Sequence, residues 1–282
     1  MTVIKKDMEF NRGLSSLIEV LKNIAVSQYR SLEHKFGGFD KFMQAVESCF
    51  DFIDLEVLKH PFLNPKNKVQ AVVAVTSDSG LLGGLNMQVV SRALAELMQN
   101  PGHLIVIGER GKVYAQDAGV GFTAFPGIND EERLPQAFQL RDYLFRNALK
   151  GQFGLLKIVY PHPVSFTVQR VESVSFLPFR PEFAKNQQGS DKLALMQNVI
   201  FESRLGDLIE YLVYLWMGQR IFDIFGLSRL SEFAARYVHL EDSLRRLKEM
   251  DLKLRLQYFR VRHEIIDQSM RELFSARLLY NS

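Results

Sequence analysis

Apolar residues recur at steps of three and four near the start of the chain, at Leu14, Leu17, Ile18, Leu21, Ile24 and Ala25. That spacing predicts a helix with one stripe turned to a partner. Gly37 and Gly38 predict a weak point or bend, after which Phe42, Val46, Phe50 and Ile53 resume helical spacing up to a loop with Pro61 and Pro65. The period then changes. Val69, Ala71, Val72, Val73, Ala74 and Val75 form a short apolar run that predicts a strand buried on both faces, as in a parallel sheet. Residues 76–86 supply a turn, 89–98 a helix and 104–107 the next strand. Further on, 138–149 reads as helix, and 155–160 with 164–176 reads as two strands suited to an antiparallel hairpin.

Residues 180–193, with Pro181, Asn186, Gln187, Gln188, Gly189 and Ser190, have the composition of an exposed loop and are the best linker candidate. Helix resumes with Leu205, Leu208, Ile209, Leu212, Leu215 and Trp216 on one stripe, and Gly218 and Gly226 are expected weak points. From Phe233, steps of four and three reach Tyr237, Leu240, Leu244, Leu247, Asp251, Leu254, Tyr258, Val261, Ile265 and Gln268. This is a heptad seam in which only Asp251 and Gln268 are polar. No Gly or Pro follows Gly226, so a helix of about 50 residues is expected, roughly 75 Å long at 1.5 Å per residue. Such a helix overhangs a compact domain, and the N-terminal helix is its obvious partner within the chain. The expected fold class is α/β: an antiparallel coiled coil of the two terminal helices around an inserted three-layer, Rossmann-like domain. The expected segments are 1–60 for the N-terminal shaft helix, 61–193 for the α/β domain, and 194–282 for the C-terminal helices and shaft.

Composition narrows the function classes. Of 282 residues, 47% are hydrophobic and 24% charged, enough apolar material for a sizeable core. A net charge of +3 is too small to require nucleic acid as a partner. Cys49 is the only cysteine, which excludes an intrachain disulfide and a cysteine-based zinc cluster. Lys5, Lys6, Asp7, Glu9 and Arg12 interrupt the N-terminus, so no secretory signal is expected, and the longest apolar runs fall short of the roughly 20 residues that cross a bilayer. No direct membrane insertion is expected.

The loop from Gly80 to Gly84 invites a phosphate-binding reading, but no Gly-Lys-Ser/Thr follows and the spacing is not G-x-G-x-x-G. Tight strand-to-helix packing is the simpler expectation. The six histidines form no metal-ligand spacing, residues 130–132 read as a solvated turn, and Ser77 beside Asp78 lacks the G-x-S-x-G elbow. No catalytic, cofactor-binding or metal-binding residue is assigned.

Thr76 to Asn86, Ser231 to Arg236, and Tyr258 with Arg262 are three stretches that together resemble the gamma subunit of F-type ATP synthases. The first is Thr76-Ser77-Asp78-Ser79-Gly80-Leu81-Leu82-Gly83-Gly84-Leu85-Asn86, similar to the family's T-S-D-x-G-L-C-G-x-x-N with Leu82 in place of Cys. The second is Ser231-Glu232-Phe233-Ala234-Ala235-Arg236, similar to S-E-x-x-A-R. The third, around Tyr258 and Arg262, matches Y-N-x-x-R-Q at those two positions and departs at Phe259 and His263. The resemblance implies a non-catalytic central-stalk rotor that couples ion-driven rotation to nucleotide turnover in surrounding subunits. Its implied partners are alpha- and beta-type head subunits, an epsilon-type subunit and a membrane c-ring. The implied location is peripheral, on the inner face of an energy-transducing membrane, on the bacterial cytoplasmic or the organelle matrix side. It marks Asp78, Gly80, Gly83, Gly84, Asn86, Ser231, Glu232, Arg236, Tyr258 and Arg262 as motif positions. Arg236, Arg260, Arg262 and Glu232 are the expected coupling contacts; Arg260 and Arg262 belong to a basic run, from Arg245 to Arg262, that reads equally as a solvated helix face. A non-rotary coiled-coil adaptor of the same fold and a nucleotide-binding α/β enzyme remain as alternatives.

Overall fold

The computed structural model describes residues 2–34, 40–50, 53, 58–180 and 204–280. The bend expected at Gly37 and Gly38, the side chain of Phe42 and linker residues 181–193 lie outside them. The chain forms two compact units, one made of Met1–Ser27 with Arg236–Ser282 and the other of Gln28–Ala235. Two helices run through both: α1 (Thr2–Glu33) and α6 (Leu205–Tyr280).

In the second unit, β1 (Gln70–Val75), β2 (Gly102–Ile107), β3 (Phe122–Phe125), β4 (Leu155–Pro163) and β5 (Gln169–Leu177) form one sheet in the order β3-β2-β1-β4-β5. The first four are parallel and β5 returns antiparallel to β4. β1 is buried throughout, as its run of Val and Ala predicts, and alternation divides it between two cores. Val72 and Ala74 pack with Val89 and Ala93 of α3 (Leu85–Gln99) and Ala115 of α4 (Glu109–Asp117). Ala71, Val73 and Val75 join Leu140 and Leu144 of α5 (Arg133–Leu149), Val46 and Phe50 of α2 (Asp40–Phe50), and Ile209, Val213, Met217 and Ile221 of α6. This unit is therefore three-layered, and the first part of α6 is one of its core helices.

Sequence patterning misses α4 and β3. α4 buries only Gly111 and Ala115, and β3 is a four-residue edge strand with no buried residue, so neither writes an apolar period. β5 starts at Gln169 rather than 164, because Val164 and Val168 close a turn through a 3.0 Å backbone hydrogen bond. α6 is one helix of 76 residues, longer than expected, and neither Gly218 nor Gly226 interrupts it. Both glycines are buried, and at Gly218 a Cβ would sit 3.0 Å from Arg141 Nη1 and 3.1 Å from its Cδ. Close helix packing at that point outweighs the roughly 1 kcal/mol helix penalty of glycine.

The first unit is an antiparallel helix pair. Lys22 Nζ lies 2.7 Å from Glu241 Oε2, Asn11 Nδ2 donates to Leu247 O at 3.0 Å, Arg12 Nε is 3.9 Å from Asp251, and Lys5 Nζ lies over the Tyr258 ring at 5.8 Å. The heptad seam is buried at Leu240 and Leu244, half-buried from Leu247 to Val261, and exposed at Ile265 and Gln268. Burial fades because α1 meets Tyr258 at Lys5, close to its own start, and little of it remains to cover Ile265 and Gln268. Leu17 and Ile24, expected on the shared stripe, are instead 56% and 46% exposed, and α1 meets α6 through Asn11, Leu14, Ile18, Leu21 and Ala25.

Candidate functional site

In a doubly wound sheet, ligands take the crevice beyond the carboxyl ends of the strands, where the strand order reverses. Here that place lies between β1 and β4. The turn after β1 enters it and is held by its own side chains. Ser77 N–H donates to Asn86 Oδ1 at 3.2 Å, and Asn86 Nδ2 donates to Ser77 Oγ at 2.8 Å, clipping the turn to the first turn of α3. Asp78 Oδ1 accepts the backbone N–H of Glu109 at 2.8 Å, which caps α4. Gly83 and Leu81 take left-handed backbone, φ 59° and 65°. Leu82 and Leu85 then pack with Ala235 of α6 and Val171 of β5, an apolar cluster that follows directly on the turn.

The Ser231-to-Arg236 motif is the other half of this joint. Ser231 is fully buried, and its Oγ donates to Pro161 O, near the carboxyl end of β4, at 3.0 Å. Glu232, 3% exposed, accepts from Arg229 Nη1 at 2.5 Å. Arg229 also grips Asp130 with two parallel bonds, Nε to Oδ1 at 2.9 Å and Nη2 to Oδ2 at 3.0 Å, and stacks over Phe233 at 4.6 Å. Burial works against the Arg229 charge, but hydrogen bonds and attraction from Asp130 and Glu232 outweigh it and raise its pKa above the ordinary guanidinium value. Residues 130–132 are thus more than a solvated turn, because Asp130 anchors a helix 99 positions away in sequence. No local signal in the sequence marks that pair: neither residue lies in a motif, and only the path of the chain brings them together.

The expected coupling residues fall in different places. Glu232 belongs to the second unit and is committed to Arg229. Arg236 is half-buried at the first residue of the α6 segment of the first unit, and Arg260 and Arg262 are exposed on that segment. Tyr258 is half-buried beneath Lys5. Of the motif glycines, Gly80 lies against the Arg110 guanidinium and Gly84 precedes α3.

Cavities among the described residues lie elsewhere. One of about 780 Å³ opens at the amino-terminal end of the sheet between Lys59, Lys66, Phe153 and Leu149. Another, of about 450 Å³, notches the helix pair beside Asn11, Arg12, Asp251 and Arg255. Among the described residues no group of three or more His, Cys, Asp or Glu could hold a metal ion, and no helix is long and apolar enough to cross a membrane.

A family model described as ATP synthase matches residues 1–277. The ATP synthase gamma chain of Clostridium pasteurianum is 23% identical over 280 residues, covering 98% of this chain and 96% of that one. The gamma chain of Chlorobaculum tepidum is 24% identical over 279 residues, covering 93% and 92%. Among solved structures, a chain of the Euglena gracilis mitochondrial ATP synthase rotor superposes with a TM-score of 0.67 at 18% identity, over 94% of this chain and 98% of that one. A chain of the Tetrahymena thermophila central stalk and c-ring assembly superposes at 0.59 and 18% identity, over 80% and 99%.

Proposed function

The chain belongs to the ATP synthase gamma-chain family, whose members are non-catalytic rotor subunits, and on that premise we propose how its two units divide the work. The α/β unit receives torque from an ion-carrying c-ring and binds an epsilon-type subunit. The helix pair turns inside a ring of alpha- and beta-type subunits on the inner face of an energy-transducing membrane. Coupling is differential contact: each surrounding subunit meets a different face of the pair, and that difference in interaction energy shifts its nucleotide affinity.

The observation that carries this reading is the seam. As far as Val261 the seam packs α1 against α6, while Arg260 and Arg262 stay exposed beside it. Exposed cations make contacts that exchange readily as a shaft turns, where a packed apolar interface resists sliding. Arg236, Arg260 and Arg262 are the coupling contacts of this proposal. Glu232 supports them indirectly, by keeping Arg229 in place at the base of the shaft segment.

The test is to isolate the tagged chain from its native cells with its bound subunits and to compare wild type with Arg260→Glu/Arg262→Glu. The expected result is one copy of the chain with three copies each of two nucleotide-binding subunits. The charge-reversed variant should lower ATP-driven ion pumping more than ATP hydrolysis. Recovery of the chain alone, or with unrelated partners, sinks the rotor reading.

A further inference from the structure

A rotor needs the helix that enters the catalytic ring to be locked against twisting about its own axis where it leaves the α/β unit. Apolar packing is non-directional and resists such a twist weakly, whereas hydrogen bonds and forked ion pairs fix an angle. α6 carries two such contacts just before the unit ends at Ala235. Ser231 Oγ bonds Pro161 O of β4, and Arg229 forks onto Asp130 in the connection between β3 and α5. At roughly 100° per residue, positions 229 and 231 point about 200° apart, to nearly opposite sides of the helix. The sheet order sets β3 and β4 on either side of β2 and β1, so the two anchors grip α6 from separate parts of the domain.

The geometry points to Arg229, with Asp130 and Ser231, as a two-sided torque collar that clamps α6 to the sheet. Arg229 is a positioning residue within this collar. Glu232 holds its Nη1, and the face of Phe233 supports the guanidinium, so the fork towards Asp130 is preset before any load is applied. The collar rests on the rotor reading above, since a static adaptor has no torque to carry.

The experiment uses the assembled complex in sealed membrane vesicles and reads ions pumped per ATP hydrolysed. Asp130→Asn removes the charge and one acceptor of the fork, at a residue about 40% exposed, while leaving Arg229 paired with Glu232, and Ser231→Ala removes the other anchor by deleting one hydroxyl. The double variant is expected to hydrolyse ATP within about twofold of wild type and to pump at least several-fold fewer ions per ATP. Asp130→Glu, which keeps the fork, is expected to stay coupled. Equal pumping per ATP in wild type and double variant overturns the collar, as does a parallel fall in both activities, which signals only a damaged fold. If the double variant fails to fold, Asp130→Asn alone is judged by the same ratio. A wild-type chain that supports no coupled pumping defeats the rotor reading itself, a result separate from either.

Discussion

Asp78 and Glu109 meet at the carboxyl end of the sheet, where the Asp78 carboxylate accepts the Glu109 backbone N–H at 2.8 Å. One side chain thereby ties the turn after β1 to the first residue of α4. It also fills the space beside Gly127, where a Cβ would fall 2.3 Å from the carboxylate. Asp78→Ala is expected to cost about 1 kcal/mol through loss of the cap. Gly127→Ala should cost more, because the carboxylate must then abandon Glu109. Urea unfolding of each variant measures both, and a Gly127→Ala protein as stable as wild type would contradict this packing.

Glu96 gives a pH dependence with a definite sign. Its carboxylate is 5% exposed and hydrogen-bonded by Lys157 at 2.6 Å, with Arg92 at 3.0 Å. The Lys157 hydrogen bond, helped by charge attraction and opposed by burial, lowers its pKa below the ordinary 4.5. A depressed carboxylate contributes stability that is present above its unfolded value and lost as pH falls through the folded one. Stability should therefore drop as pH falls below about 4.5, and Glu96→Gln should flatten that part of the curve. Chemical denaturation between pH 7 and pH 3 decides it; parallel curves for the two proteins would refute the assignment.

The helix pair contains a polar layer that weakens it. Asn11 is 3% exposed, and both its Oδ1 and Asp251 Oδ1 are buried without a hydrogen-bond partner among the described residues. An unsatisfied buried acceptor costs about 1–3 kcal/mol. Asn11→Leu/Asp251→Leu is expected to stabilise the fold by about 1–2 kcal/mol. Asn11→Ala alone should destabilise it, by giving up the bond to Leu247 and leaving a gap. Thermal melts separate the cases, and a double variant less stable than wild type speaks against the prediction.

Two glycines should respond oppositely to the same change. Gly13 has nothing within 4 Å of where its Cβ would lie, so Gly13→Ala should gain about 0.5–1 kcal/mol of helix stability. Gly218→Ala should not, because Arg141 stacks on Tyr214 at 3.7 Å and on Phe138 at 4.3 Å and cannot withdraw from the new methyl. A gain at Gly218 measured by the same denaturation would show that α5 and α6 can separate without cost.

The candidate site was readable in proportion to how local its signals are. Ser77, Asp78 and Asn86 sit within one short stretch of chain, and their spacing implies the tight strand-to-helix turn that their hydrogen bonds build. The pairing of Arg229 with Asp130 had no local signal, and Asp130 read as solvent-facing for that reason. Glu232 stood out as a motif residue, yet its burial against Arg229 had no signal in the sequence, since an acidic residue on a helix is mostly exposed unless paired.

The chain by itself determined the elements that repeat a period: the buried parallel strand β1, the heptad seam of α6, and the stretch free of Gly and Pro that lets the helix run. Those come from backbone sterics and from the burial of one side of each element, which is written residue by residue. Tertiary structure alone decided that Gly218 lies inside an unbroken helix, that the first part of α6 belongs to the α/β core, and that the seam's burial fades past Val261. Each of these depends on what lies across from a residue, and that neighbour comes from a distant part of the chain.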